Sequence, residues 1–144
     1  MRFWDSSAIV PMLVAESSSV AVMAEYERDP DLVVWWATDV ECVSALARLE
    51  RDGILDGPSM VDALERLDAL GQAWQEVQPI VRIRQTAIRL LRVHGLRAAD
   101  AIQLGAALTV AEGQPASLEV VTLDERLGQA AQREGFRVVV PDQS

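Results

Sequence analysis

The chain has 144 residues, half of them hydrophobic and 24% charged, a balance that suits one globular domain and leaves no room for a second. Its net charge of −9 comes from 22 acids and 13 bases, every base an arginine, with one histidine and one cysteine besides. The absence of lysine excludes P-loop NTPases, Schiff-base enzymes and receiver-type phosphoacceptors, and single His94 and Cys42 exclude zinc-finger clusters, disulfide frameworks and two-histidine sites.

Residues 2–4 read as a short first strand. The apolar stretch at 8–15 is no signal core, because Asp5 precedes it, Pro11 interrupts it and no clean small-residue cleavage site follows. No apolar run approaches the roughly 18 to 20 residues that cross a bilayer. A cytoplasmic protein without a membrane partner is expected, and the lone Cys42 agrees with a reducing compartment. Residues 17–28 have the spacing of an amphipathic helix, and 31–36 hold an unbroken Leu32 to Trp36 run suited to a strand buried on both faces, with Trp35 and Trp36 in the core. A helix over 38–51 ends at Asp52-Gly53. The segment 52–58 joins it to a second helix over 59–72, which starts after Pro58.

Trp74 falls in a connecting segment, where packing or an oligomer contact is favoured over a base-stacking platform. A helix over 79–93 is expected to close at His94-Gly95, with the glycine as a left-handed cap and His94 serving the helix end. Residues 98–111 are almost all Ala, Leu, Ile and Val, hence a buried helix whose polar exceptions, Asp100 and Gln103, share one face. A strand at 118–123, a helix at 124–134 and a last strand at 136–140, stopped by Pro141, complete the chain. Strands alternating with helices predict the α/β class, with a mostly parallel sheet covered on both sides.

In such a sheet, ligands bind where the strands end at their carboxyl edge. Asp5 follows the first strand, Glu41 lies in the first turn after the second, Asp124 follows the strand at 118–123, and Asp100 opens the buried helix. Each has a bland explanation as a helix cap: Asp5 with Ser6 and Ser7 for a helix beginning near Ala8, Thr38 with Glu41, Thr122 and Glu125 around Asp124, and Asp100 for its own helix. Capping alone does not require an acid after each of several strands, and gathered like charges are costly unless a cation neutralises them. Oxygen-only sites suit hard divalent cations, Mg²⁺ or Mn²⁺, which keep waters for a phosphate-bearing substrate. Cys42 lacks an evident base and reads as a small buried residue.

Four segments carry a family resemblance: Asp5-Ser6-Ser7-Ala8, Thr38-Asp39-Val40-Glu41, Leu96 through Leu104 around Asp100, and Val121 through Leu127 around Asp124. Together they resemble the PIN domain, and within it the VapC-type toxins of bacterial toxin–antitoxin pairs. The resemblance covers essentially the whole chain, as one PIN domain over 1–144. It implies a three-layer α/β/α sandwich with four to five strands, a Mg²⁺- or Mn²⁺-dependent endoribonuclease, a homodimer, and inhibition by a cognate VapB-like antitoxin. It maps the metal-site acids onto Asp5, Glu41, Asp100 and Asp124, with Ser6 and Thr122 as polar neighbours. On that mapping Asp5 and Asp100 bind metal directly, Asp124 completes the inner or second shell, and Glu41 binds metal or helps deprotonate water.

The arginines are uneven. Arg82, Arg84, Arg89, Arg92 and Arg97 lie between Val77 and Ala99 with no acid among them, which gives +5 locally and leaves −14 for the rest. A solvated helix surface explains this run as well as RNA binding does, and in the second reading Arg82, Arg89, Arg92 and Arg97 hold RNA phosphates near Asp100. Two rival functions remain: a PIN-like module that binds RNA or a partner without cutting, and a nuclease acting on DNA. A haloacid-dehalogenase-like phosphatase is disfavoured, because it wants an aspartate where Ser7 stands and a lysine as well.

Overall fold

In strand β1 (Arg2–Trp4) of the computed structural model, which describes residues 1–141, successive side chains point to opposite faces: Phe3 enters one apolar core and Trp4 the other. Residues 142–144, the tail of the expected domain, lie outside the described residues. The same alternation runs through β2 (Leu32–Trp35), where Leu32 and Val34 face Trp4's core and Val33 faces Phe3's. Two cores on two faces make the sheet the middle of three layers.

Among the described residues the sheet has five strands, all parallel, in the order β3-β2-β1-β4-β5, with β3 at Gln75–Val77, β4 at Glu119–Val121 and β5 at Arg137–Val139. Helices α1 (Ser6–Leu13), α2 (Ser19–Arg28), α3 (Thr38–Arg51) and α4 (Gly57–Ala73) supply the core that holds Trp4. The other face is covered by α5 (Val81–Val93), α6 (Ala98–Ala111) and α7 (Glu125–Arg133). From β1 the chain winds outward through β2 to β3, then returns across the sheet to lay β4 on the other side of β1. That reversal is the topological switch point, and it puts the ends of β1 and β4 side by side.

Local chemistry explains several element ends and contacts. Asp56 caps α4 by accepting the Ser59 N–H at 2.8 Å, with Pro58 in the first turn. Gly53 takes φ +74° beyond α3, a conformation that costs glycine nothing. Gly105 has a different reason: a Cβ there would stand 3.2 Å from the Ile83 carbonyl oxygen, so its missing side chain lets α6 lie against α5. No helix of the described residues is long and apolar enough to cross a membrane.

Four expectations are corrected. The first helix starts at Ser6 rather than near Ala8. Gly95 is not a left-handed cap; α5 ends through an extended His94 at φ −121°. Trp36, expected in the core, is 50% exposed because β2 stops at Trp35, and it keeps only an edge-on contact with that neighbour. The connecting segment after α4 contains a strand, β3, and Trp74 ahead of it is buried, its indole N–H donating to Glu76 at 3.0 Å. Packing is therefore the role of Trp74.

Candidate active site

The switch point delivers Asp5 and Thr122 to one place. Asp5 leaves β1 with its N–H bonded to the Val121 carbonyl at 3.1 Å, and Thr122 leaves β4 with its N–H on Val139. Asp5 is 3% exposed, and its Oδ2 accepts from Ser7 Oγ at 2.5 Å and Thr122 Oγ1 at 2.9 Å. Each hydroxyl has one proton and spends it on Asp5, so their oxygens stay free to accept from Leu123 N–H at 2.9 Å and Asp124 N–H at 3.0 Å. Asp5 is thereby pinned to the turn that carries Asp124. Its second oxygen, Oδ1, meets only Ser6 Oγ at 3.5 Å.

Glu41 is brought in from the next strand connection. The capping box expected of Thr38 and Glu41 is absent: Ala37 is the N-cap of α3 and makes no side-chain cap. Glu41 instead accepts from Ser6 Oγ at 3.2 Å and Gln103 Nε2 at 3.1 Å, while the same Gln103 nitrogen lies 3.4 Å from the buried Thr38 hydroxyl. The expected Thr122–Glu125 box does not form: Asp124 itself is the N-cap of α7, Oδ1 accepting from Leu127 N–H at 3.0 Å, so a capping role and a site role coexist on its two oxygens. Asp100 sits in the first turn of α6, is not its N-cap, and accepts no hydrogen bond and joins no ion pair among the described residues.

The electrostatics follow from this crowding. Burial raises the Asp5 pKa, opposed by the Ser7 and Thr122 hydrogen bonds and assisted by the charge of Asp124. Burial, then the charge of Asp5, pushes Glu41 up to about 7 against the bonds from Ser6 and Gln103. Asp100 rises to about 6 through burial and the charges of Asp124 and Asp5, with Arg97 pulling the other way. Asp5, Glu41 and Asp100 therefore each feel the charge of at least one other acid of the set, and the Asp124 charge acts on Asp5 and Asp100. They are not in mutual contact, and among the described residues no three His, Cys, Asp or Glu side chains form a ready-made metal cluster.

The polar neighbours Ser6 and Thr122 stand where the sequence put them. Ser7 and Gln103 belong to the same network but carry no role in the sequence reading; the signal for Gln103 was its place three residues after Asp100 on an otherwise apolar helix. Of the arginines, Arg97 lines a cavity with Asp100, Asp124, Glu125 and Arg126. Arg82 and Arg92 are exposed on α5, and Arg89 is held by Glu134 through Nη2–Oε1 at 2.8 Å and Nη1–Oε2 at 3.3 Å. His94 donates Nε2–H to the same carboxylate, reaching Oε2 at 2.8 Å. Burial and the charges of Glu41, Asp5 and Asp39 push the Cys42 thiol up to about 12, which removes it as a nucleophile. A separate apolar groove on α5, lined by Trp35, Ile80, Val81, Ile88 and Leu91 among others, contains no carboxylate.

Comparison with known proteins decides the family. The chain is 32% identical over 136 residues to Ribonuclease VapC45 of Mycobacterium tuberculosis, a match that spans 94% of this chain and 92% of that protein. The chain belongs to the VapC ribonuclease family. Ribonuclease VapC35 of the same organism is 29% identical over 147 residues, 100% of this chain and 99% of that one. No protein-family model matches the chain. The crystal structure of FitAcB from Neisseria gonorrhoeae superposes with a TM-score of 0.66 at 20% identity over 98% of each chain, a likeness of fold. The fold is that of the PIN domain, and the VapC likeness runs through all four acids' segments rather than through one half of the chain.

Proposed function

We propose that this VapC-family protein is a toxin endoribonuclease that hydrolyses RNA phosphodiester bonds with Mg²⁺ or Mn²⁺ held by Asp5, Glu41, Asp100 and Asp124. One observation carries the reading: four carboxylates from four segments converge on the switch-point edge, and only Arg97 offsets the charge on any of the three whose pKa is raised. Assembling that much negative charge costs stability unless a cation is meant to join it. The donor set fits a hard divalent ion, since it is all oxygen and both Asp100 oxygens and Asp5 Oδ1 lack a strong protein partner. A bound divalent ion would supply charge neutralisation at the phosphate and a more acidic water.

The residues divide the remaining work. Ser7 and Thr122 hold the Asp5 carboxylate rigid at the end of β1, so its free oxygen has one orientation. Ser6 and Gln103 fix the two Glu41 oxygens, which orients the carboxylate to hold metal or to take a proton from an attacking water. Asp124 is anchored by its capping bond, and Asp100 is half-buried on the rim toward solvent. Family membership supports a cognate VapB-like antitoxin and a homodimer as partners. The decisive assay incubates the protein with RNA and with DNA in Mg²⁺, Mn²⁺ or EDTA and reads the product ends. Cleavage of RNA only with metal, leaving 5′-phosphate and 3′-hydroxyl ends, is expected; cyclic phosphate ends, or cleavage in EDTA, would overturn the reading.

A further inference from the structure

Two cavities adjoin at Arg126. The first contains the acids Asp100 and Asp124 with Arg97, Glu125 and Arg126. The second, lined by His94, Leu96, Arg126, Gln129 and Arg133 among others, has no carboxylate in its wall. Arg126, Gln129 and Arg133 recur at helical spacing, so they share one exposed face of α7. None of Arg97, Arg126 and Arg133 is paired with an acid among the described residues. Two acids border the second cavity: Glu134 is occupied by Arg89 and His94, and Glu125 accepts from Gln129 at 3.5 Å.

We propose that Arg97, Arg126 and Arg133 form a phosphate track that leads the RNA strand away from the acid edge along α7. The proposal rests on the ribonuclease reading and extends it to how the substrate is held. Three observations combine. The basic strip begins inside the acids' own cavity, where Arg97 acts on Asp100. It continues for seven residues of α7, about 10 Å, so a ligand that meets both cavities is an extended polyanion rather than a single phosphate. In a chain of net charge −9, a carboxylate-free cavity with two unpaired arginines in its wall is a local exception. Such contacts position the strand and carry no sequence preference. The α5 arginines supply less of this, since Arg89 is already neutralised.

The test is fluorescence anisotropy of a labelled single-stranded RNA of about twelve nucleotides, in EDTA, over roughly 50 to 300 mM salt. Removing two phosphate contacts with Arg126→Gln/Arg133→Gln is expected to weaken binding about tenfold near 0.15 M salt and to flatten the log–log salt slope by about 1.4, at about 0.7 per contact. Arg126→Lys/Arg133→Lys restores most of the slope, because a phosphate track needs charge. Arg48→Gln/Arg51→Gln, the same loss of two charges at the end of α3, leaves affinity and slope as they are. A wild-type slope in the double glutamine variant overturns the track, as does the same loss appearing in Arg82→Gln/Arg92→Gln instead. Since binding is read without metal, failure of wild-type protein to cleave RNA in Mg²⁺ sinks the ribonuclease reading alone; intact cleavage with an unchanged slope sinks the track alone.

Discussion

Metal-free protein should lose stability as the pH rises from 5 to 8, against the behaviour of most acidic proteins, whose paired carboxylates favour the higher pH. Glu41 is the clearest source. Its carboxyl is pushed from 4.5 to about 7, so between those values the folded state holds a proton that the unfolded state has released. Stability from this group is complete below about pH 4.5 and disappears as the pH climbs through 7. At about 1.4 kcal/mol per pH unit the upper bound between pH 5 and 8 is about 3 kcal/mol, and partial exposure of Glu41 to solvent reduces it to about 2 kcal/mol. For a chain of this size that is a fall of about 6 °C in Tm. Asp100, raised to about 6, and Asp5 act in the same direction. Glu134, Asp29 and Asp56 are lowered, so their opposite contribution changes only below pH 5. Thermal unfolding by circular dichroism in EDTA measures the slope; millimolar Mg²⁺ should raise Tm at pH 8 and have little effect at pH 5, because only ionised carboxylates bind it. Glu41→Gln should flatten the EDTA profile. A metal-free Tm that is level or rising from pH 5 to 8 would refute the reasoning, and so would a Glu41→Gln profile as steep as the wild type.

Asp100→Asn should fold normally and cut RNA at least about a hundredfold more slowly, with the Mg²⁺-dependent gain in Tm reduced, as measured by initial rates and calorimetry. Thr122→Val removes the donor to Asp5 and the acceptor of Asp124 N–H inside a fully buried site; urea unfolding should show a loss of about 1–3 kcal/mol. Gly105→Val drives a branched side chain into the Ile83 carbonyl and should cost about 1–3 kcal/mol in urea unfolding.

The layers and the acid edge were legible because both follow from periodicities that need no partner information. The Leu32 to Trp36 run has the continuous apolar character of a strand buried on both faces, and an acid at the first residue past a strand can be located without knowing the sheet order. What escaped were features set by neighbours. The segment Gln75–Val77 has no apolar alternation; it is a strand because β2 offers its free edge and Val33, Val34 and Trp35 pair with it. Trp36 is as apolar as Trp35, yet one residue past the strand's end it faces solvent. Gly95 follows a helix as a cap glycine should, but an extended His94 leads the chain off toward α6 without a left-handed turn.

The capping explanations divide along the same line and show why single residues mislead. Asp124 behaves as its local sequence suggests and caps α7. Glu41 does not, since a serine from α1 and a glutamine from α6 compete for its oxygens and win, at separations of 35 and 62 residues. A capping bond at an exposed helix start is worth about 1 kcal/mol. A carboxylate drawn inward toward Asp5 gives that up and accepts a raised pKa as well, so something other than local helix stability must favour the arrangement. The hydroxyls of Ser6, Ser7 and Thr122 and the amide of Gln103 soften the repulsion without adding charge of their own. They organise the acids and leave their net charge intact, which is the state a divalent cation requires and a purely structural carboxylate cluster does not.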